Sequence, residues 1–233
     1  MTRRLIIAAA LVAVLAGCSP ATEPGATTGP EPGATTAPDP ALAAPSPTDG
    51  GAAAALRDRY AATGSLAGLA EEPEHASERL DSDGVVCGRP LPLLDRRLVV
   101  STRVFVTPQG TPAAEFVEIA QETVVYPDEA AAADAVRQIF GVLEACERDE
   151  EDGQVTAGHT AADLPAGLGV PGRVVSATMT VPDGARFPHR YGCLHRGRVT
   201  QCVAVWTRSA AGTGTWFERA VTATATGLRT SKD

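Results

Sequence analysis

Few side chains in this sequence are equipped for chemistry, and their spacing narrows what that chemistry is. Five cysteines are present, Cys18, Cys87, Cys146, Cys193 and Cys202, and no two form a C-x-x-C pair, so a thioredoxin-type dithiol has no support. The histidines, His75, His159, His189 and His195, are scattered. His189 and His195 share a face of a predicted strand but would lie about 20 Å apart at strand rise, too far for one metal ion. The acidic run ERDEEDG at 147–153 lacks the spacing of a calcium loop. No metal site and no cofactor are expected. Lys232 is the only lysine and is the penultimate residue, which excludes a P-loop, an S-x-x-K site and a Schiff-base lysine. Neither G-x-S-x-G nor H-E-x-x-H occurs. The one carboxylate pair worth weighing is Glu118 and Glu122, expected on one strand face about 7 Å apart, as a glycan hydrolase would need. Outward carboxylates in a strand are more simply a wet face, so the chain is read as a non-enzyme.

The elements that must position these residues follow from periodicity. Residues 52–70 are rich in Ala and Leu and read as a helix weakened by Gly64 and Gly68. Residues 98–107 alternate, with Val100, Thr102, Val104 and Val106 on one side. A turn at 108–112 leads to a second strand at 115–126, with Val117, Ile119 and Val125 on one face and Glu118 and Glu122 on the other. YPDEAAAADAVRQIFGVLEAC is the clearest helix. Pro127 suits its first position and Asp128 and Glu129 its positive end, while Val136, Ile139, Phe140, Leu143 and Cys146 form the inward stripe. Residues 147–153 read as a solvated helix end. A strand is expected at 174–181, then a hairpin in RYGCLHRGRVTQCVAVW with Gly197 and Arg198 as its loop. A last helix carries Trp216 or Phe217, Ala220, Val221, Thr224 and Leu228 on one face. DLPAGLGVPG at 163–172 reads as a flexible loop. The sum is an α+β fold, an antiparallel sheet of about five strands with helices packed on one face.

The N-terminus carries an address. Arg3 and Arg4 precede an aliphatic run at 5–16, too short for a membrane span of about 20 residues but sufficient for a signal peptide. Leu15, Ala16, Gly17 and Cys18 resemble the lipobox of bacterial lipoproteins. That likeness implies cleavage after residue 17 and a diacylglyceryl group on Cys18, bearing chains such as palmitate, that holds the protein on the outer face of the cytoplasmic membrane. Residues 18–50 then form a Pro/Thr tether, in which EPGATTGP recurs as EPGATTAP. As polyproline II it would reach on the order of 100 Å. Residues 51–233 are left as a single extracytoplasmic domain. The formal charge is −8, and loss of Arg3 and Arg4 makes the mature chain more acidic, which disfavours nucleic acid as a partner.

With Cys18 used for lipid, four cysteines remain in an oxidising compartment, and two disulfides are expected from three possible pairings. Counting out from the Gly197–Arg198 loop places Cys193 directly opposite Cys202 at a non-hydrogen-bonded pair, within disulfide range. That register favours Cys193 to Cys202 and leaves Cys87 to Cys146, a loop of about 60 residues worth roughly 4 kcal/mol in the chain-entropy model.

A lipobox, a Pro/Thr tether, the helix PDEAAAADAVRQIFGVLEAC, a strand bearing YGCLHRG, and a closing strand and helix together resemble the extracellular sensor domain of mycobacterial PknH-type Ser/Thr kinases. That domain also occurs alone in actinobacterial lipoproteins. The likeness spans about residues 85–230 and implies a disulfide-stapled α+β domain that binds a cell-wall or small-molecule ligand. The sequence departs from the family pattern at TQCVAVW, so no ligand-binding residue is carried over. Two further readings are a cell-wall glycan hydrolase and a lipid carrier with an apolar cavity between sheet and helices.

Overall fold

The computed structural model describes residues 50–59, 66–72, 85–90, 93–151 and 153–231. The signal segment, Cys18, the tether, His75 and Lys232 lie outside the described residues. Among the described residues three α-helices, α1 (Gly50–Arg59), α2 (Glu129–Glu144) and α3 (Ala210–Thr230), accompany ten strands. The strands are β1 (Ala70–Glu71), β2 (Val85–Val86), β3 (Arg89–Pro90), β4 (Val99–Val106), β5 (Val117–Val125), β6 (Arg148–Glu151), β7 (Gln154–Ala162), β8 (Gly172–Thr180), β9 (Arg186–Arg196) and β10 (Val199–Thr207). No helix among the described residues is long and apolar enough to cross a membrane.

Eight strands form one antiparallel sheet in the order β1-β4-β5-β10-β9-β8-β7-β6, and β2 and β3 form a separate two-stranded ribbon. The expectation of about five strands is therefore corrected. β4, β5, β8, β9 and β10 lie where their alternating Val and Thr predict. The additions are at the margins. β6 is RDEE and β7 is QVTAGHTAA, sequences with few of the β-branched and aromatic residues that mark a half-buried strand. Charged residues on a sheet margin discourage pairing with another chain, so the run 147–153 is largely an edge strand rather than a helix end.

The second correction concerns layers. Side chains at odd positions of β5 and β10 pack with α1 and α3, in a cluster that includes Leu56, Ile119, Val203, Val205, Phe217, Val221 and Leu228. Side chains at even positions turn to the opposite face, part of which meets α2, while Ala120, Ala204 and Trp206 pack with Val104, Met179 and Phe187 in a cluster that holds no residue of α2. Val100, Val124 and Tyr126 pack on Ala131, Ala132 and Ala135, and Val175, Cys193 and Cys202 pack on Val136, Ile139 and Phe140. Helices thus cover both faces of the sheet, not one, and every residue of β10 is buried. The cause is visible in composition. VTQCVAVWT has no charged residue, so neither face of this central strand is suited to water.

Local signals explain most element boundaries. Asp128 is the N-cap of α2, its carboxylate accepting from the Ala131 N–H at 2.7 Å, so Pro127 stands just outside the helix rather than at its first position. At the β9–β10 hairpin Arg196 faces Val199, and Gly197 holds φ at +52° while Arg198 does not adopt a positive φ, as the expected two-residue loop requires. Of the helix expected at 52–70, α1 covers the residues to Arg59, and residues 66–68 form a turn. The loop at 163–172 is fastened: Leu168 is buried, and its carbonyl accepts from the Arg229 guanidinium at the end of α3.

Candidate functional site

The α2-side face of the sheet can be laid out as three rows crossing β4, β5, β10, β9 and β8. The first is Thr102, Glu122, Cys202, Cys193 and Arg173. The second is Val104, Ala120, Ala204, Tyr191 and Val175. The third is Val106, Glu118, Trp206, His189 and Ala177. Neutral small and aromatic side chains thus separate two polar centres.

At the first centre Arg97, just before β4, reaches Glu122. Nη1 donates to Oε1 at 3.3 Å, and the two side chains are only 5% and 13% exposed. Burial opposes the Arg97 charge, but the Glu122 carboxylate and the hydroxyls of Tyr126 and Tyr191 outweigh it and hold the guanidinium firmly protonated. Desolvation drives the phenol of Tyr126 above its ordinary value, and that of Tyr191 likewise. Phe140 of α2 stacks on Tyr191 with ring centroids 5.7 Å apart. Arg97 Nε is buried and has no hydrogen-bond partner among the described residues.

At the second centre Glu118 is 2% exposed, and its Oε1 has no hydrogen-bond partner among the described residues. Desolvation, with repulsion from Glu72, raises its carboxyl to about 8. His189 lies one strand beyond Trp206, the two rings 5.7 Å apart, with Nδ1 shielded and unpartnered. Burial, and secondarily His159, lowers its imidazole to about 4, so it is neutral at ordinary pH. On the α3 side, Gln121 and Gln201 each donate to a threonine hydroxyl and leave an amide oxygen without a partner. Arg103 lies on that same side opposite Gln121, paired with Glu71 and with Nη1 shielded and without a hydrogen-bond partner among the described residues, while the α2 side gathers an arginine, two carboxylates, two phenols and an imidazole.

The expected carboxylate pair is present on one face, but its spacing needs correction. Four residues of strand rise place the Glu118 and Glu122 Cα atoms about 13 Å apart, not about 7 Å. Glycosidase carboxyls sit roughly 5 to 9.5 Å apart. Glu122 is also engaged by Arg97. Nor is the face wet, since Glu118 is 2% exposed and the Glu122 side chain is largely covered. Arg97, Tyr126, Tyr191 and Trp206 were not singled out by the sequence. The only signal for Arg97 is an arginine immediately ahead of a strand in DRRLVV, a common pattern at strand ends.

Both disulfides join the expected partners. Cys193 and Cys202 are bonded with Cα atoms 4.0 Å apart, and Cys87 and Cys146 with Cα atoms 5.9 Å apart. Cys193 and Cys202 are sealed beneath α2, whereas Cys87 is partly exposed. His159 Nδ1 lies 3.1 Å from the Cys146 carbonyl oxygen. His195, on the same face of β9 as His189, is a further six residues along that strand.

No family model and no curated protein matches the chain. Among solved structures, the extracellular domain of PknH from Mycobacterium tuberculosis aligns with a TM-score of 0.40 at 12% identity. The alignment covers 54% of this chain and 63% of that one, under two thirds of its length.

Proposed function

We propose that this chain is a lipid-anchored extracytoplasmic binding or sensor-like protein without catalytic activity, and that its ligand is polar and engages the α2-side face of the sheet. One observation carries the reading: Arg97 Nε, Glu118 Oε1 and His189 Nδ1 are shielded polar atoms on one face, all without partners among the described residues. Such groups cost about 1 to 3 kcal/mol each when left unmade. A fold retains that cost where something else completes the bonds. The acceptor at Glu118 and the donor at Arg97 suit a ligand with both hydroxyl and anionic oxygens, the chemistry of a wall-glycan fragment or a small sugar acid.

Two disulfides support export, since such bonds persist in oxidising compartments, and the lipobox supports anchoring through Cys18. Labelled palmitate should enter the full chain in its host and be lost in Cys18→Ser. For the binding role, the detergent-extracted full chain is incubated with wall digests and examined by native mass spectrometry. A retained mass that is lost in Glu118→Leu and Arg97→Met supports the reading. No retained species, or one held equally by both variants, overturns it.

A further inference from the structure

We propose that the Cys87–Cys146 disulfide is a redox latch over a latent metal site, and that its reduction creates a three-ligand centre for a thiophilic divalent cation such as Zn²⁺. The two Sγ atoms and a ring nitrogen of His159 all lie within 4.8 Å of one another. Three segments bring them together: the β2–β3 ribbon holds Cys87, the turn just past the C-cap of α2 holds Cys146, which lies outside the helix expected to carry it, and the irregularity in the β7–β8 pairing between Ala157 and Thr160 holds His159. Two thiolates and one imidazole are the donor set of a zinc site with an open fourth position.

The tautomer is compatible with the assignment. Donation of the His159 Nδ1 proton to the Cys146 carbonyl leaves the lone pair on Nε2, and a ring nitrogen committed to a backbone carbonyl is the usual companion of a metal-binding imidazole.

The two disulfides also differ in access. Cys193 is 0% and Cys202 3% exposed, under α2, whereas Cys87 occupies a surface turn. In that turn Cys87 and Gly88 both hold positive φ, +54° and +68°. Cysteine is an uncommon residue for the left-handed region, and a two-stranded ribbon is marginal by itself. The ribbon is therefore held by its disulfide and is the part most readily released.

The chemistry balances with an exported dithiol as reductant. Its thiolate attacks one sulfur, the Cys87–Cys146 bond breaks, and the reductant leaves as its own disulfide while Cys87 and Cys146 become thiols. Zn²⁺ then displaces both thiol protons to solvent and forms two Zn–S bonds and one Zn–N bond, with water in the fourth position. This inference is independent of the ligand reading above, and neither outcome bears on it.

The test uses the full chain, limited reduction with a phosphine, and Co²⁺ as a spectroscopic probe. One equivalent of Co²⁺ should give thiolate-to-metal charge-transfer absorption in the reduced protein and none in the oxidised one. Zn²⁺ should displace it and protect Cys87 and Cys146 from iodoacetamide. His159→Ala should weaken binding at least about 10-fold. The Cys193→Ala/Cys202→Ala chain should bind as the parent does, which assigns the thiolates to Cys87 and Cys146, and a parental urea midpoint for oxidised His159→Ala shows that the histidine variant folds. Absence of the absorption, its persistence in Cys146→Ser, or reduction of Cys193–Cys202 first would overturn the proposal.

Discussion

Cys193 and Cys202 stand directly opposite each other across the β9–β10 hairpin, Cα to Cα 4.0 Å, and their sulfurs are packed beneath Ile139 and Phe140 of α2. The hairpin loop fixes this register, and the disulfide in turn supplies part of the surface on which α2 sits. The bond therefore acts both on the unfolded chain and on native packing.

Its removal should be costly despite the short loop it closes. The sequence separation is 9 residues, for which loop entropy alone gives about 3 kcal/mol. Cys193→Ala/Cys202→Ala should lower the urea midpoint accordingly, with a further loss from the space left under Phe140. The counterpart Cys87→Ala/Cys146→Ala closes a longer loop, with separation 59 and about 4 kcal/mol in the same model. Urea unfolding of both chains checks this. If either double variant unfolds at the parental midpoint, the corresponding disulfide contributes nothing to stability.

Glu118 should make the protein less stable as pH rises. Its folded carboxyl titrates near 8, above the ordinary 4.5, because burial disfavours the charge and Glu72 adds repulsion. Between those values the native state holds a proton that the unfolded state has released, so stability falls from pH 4.5 to 8. Glu118→Gln keeps the shape and removes the titration. It should be more stable than the parent by on the order of 3 kcal/mol at pH 7, with the gap closing near pH 4.5. Urea midpoints at pH 5, 7 and 8.5 decide it, and a gap that does not widen with pH argues against a neutral buried carboxyl.

His189 should act in the opposite direction at lower pH. Burial holds its imidazole near 4, below the ordinary 6.5. Below 6.5 the unfolded chain gains a proton that the native state refuses, so stability is lost as pH falls from 6.5 toward 4. His189→Gln should remove on the order of 1 to 2 kcal/mol of that loss at pH 5. NMR titration of the imidazole gives the direct check, and a midpoint near 6.5 would contradict the burial described.

The strands that build the centre were legible because each alternates small or β-branched residues on both faces. The meaning of Glu118 and Glu122 was not legible. In an isolated strand a carboxylate at every fourth position reads as solvated, and tertiary packing decides otherwise, at Glu118 through the cluster of Met179, Phe187 and Trp206 and at Glu122 through the position of α2. That position depends on long-range packing of Phe140 against Tyr191 and the Cys193–Cys202 bond, contacts that no local periodicity encodes. The β6–β7 hairpin escaped for a different reason. Its edge residues are charged to stay unpaired on one side, which suppresses the signal by which strands are found. The disulfides, by contrast, followed from turn geometry and parity alone.

Arg97 and Glu122 should prove strongly coupled. Both are nearly buried, so removing one leaves an uncompensated charge, at a cost of about 3 to 5 kcal/mol. Arg97→Met should be more destabilising than Arg97→Met combined with Glu122→Gln. A double-mutant cycle by urea unfolding measures this, and additive single effects would show that the pair is screened by water.

Gly192 should be intolerant of even one carbon. It lies on the α3 side of β9, between Tyr191 and Cys193, and a Cβ there would stand 2.6 Å from Cζ of Phe217 and 3.2 Å from Cγ2 of Val174. Phe217 is fully buried in the α3 core, packed in one cluster with Val174, Val221 and Leu228. Relief therefore requires α3 to lift or β9 to shift, and a shift of β9 moves Tyr191, His189 and Cys193 on its other face. Gly192→Ala should cost about 1 to 3 kcal/mol by overpacking. Phe217→Leu in the same chain should recover part of that by vacating the ring edge, although Phe217→Leu alone is destabilising. Thermal melts of the two single variants and the double variant test this. A double variant less stable than the sum of the singles would show that the ring is not what the new methyl meets.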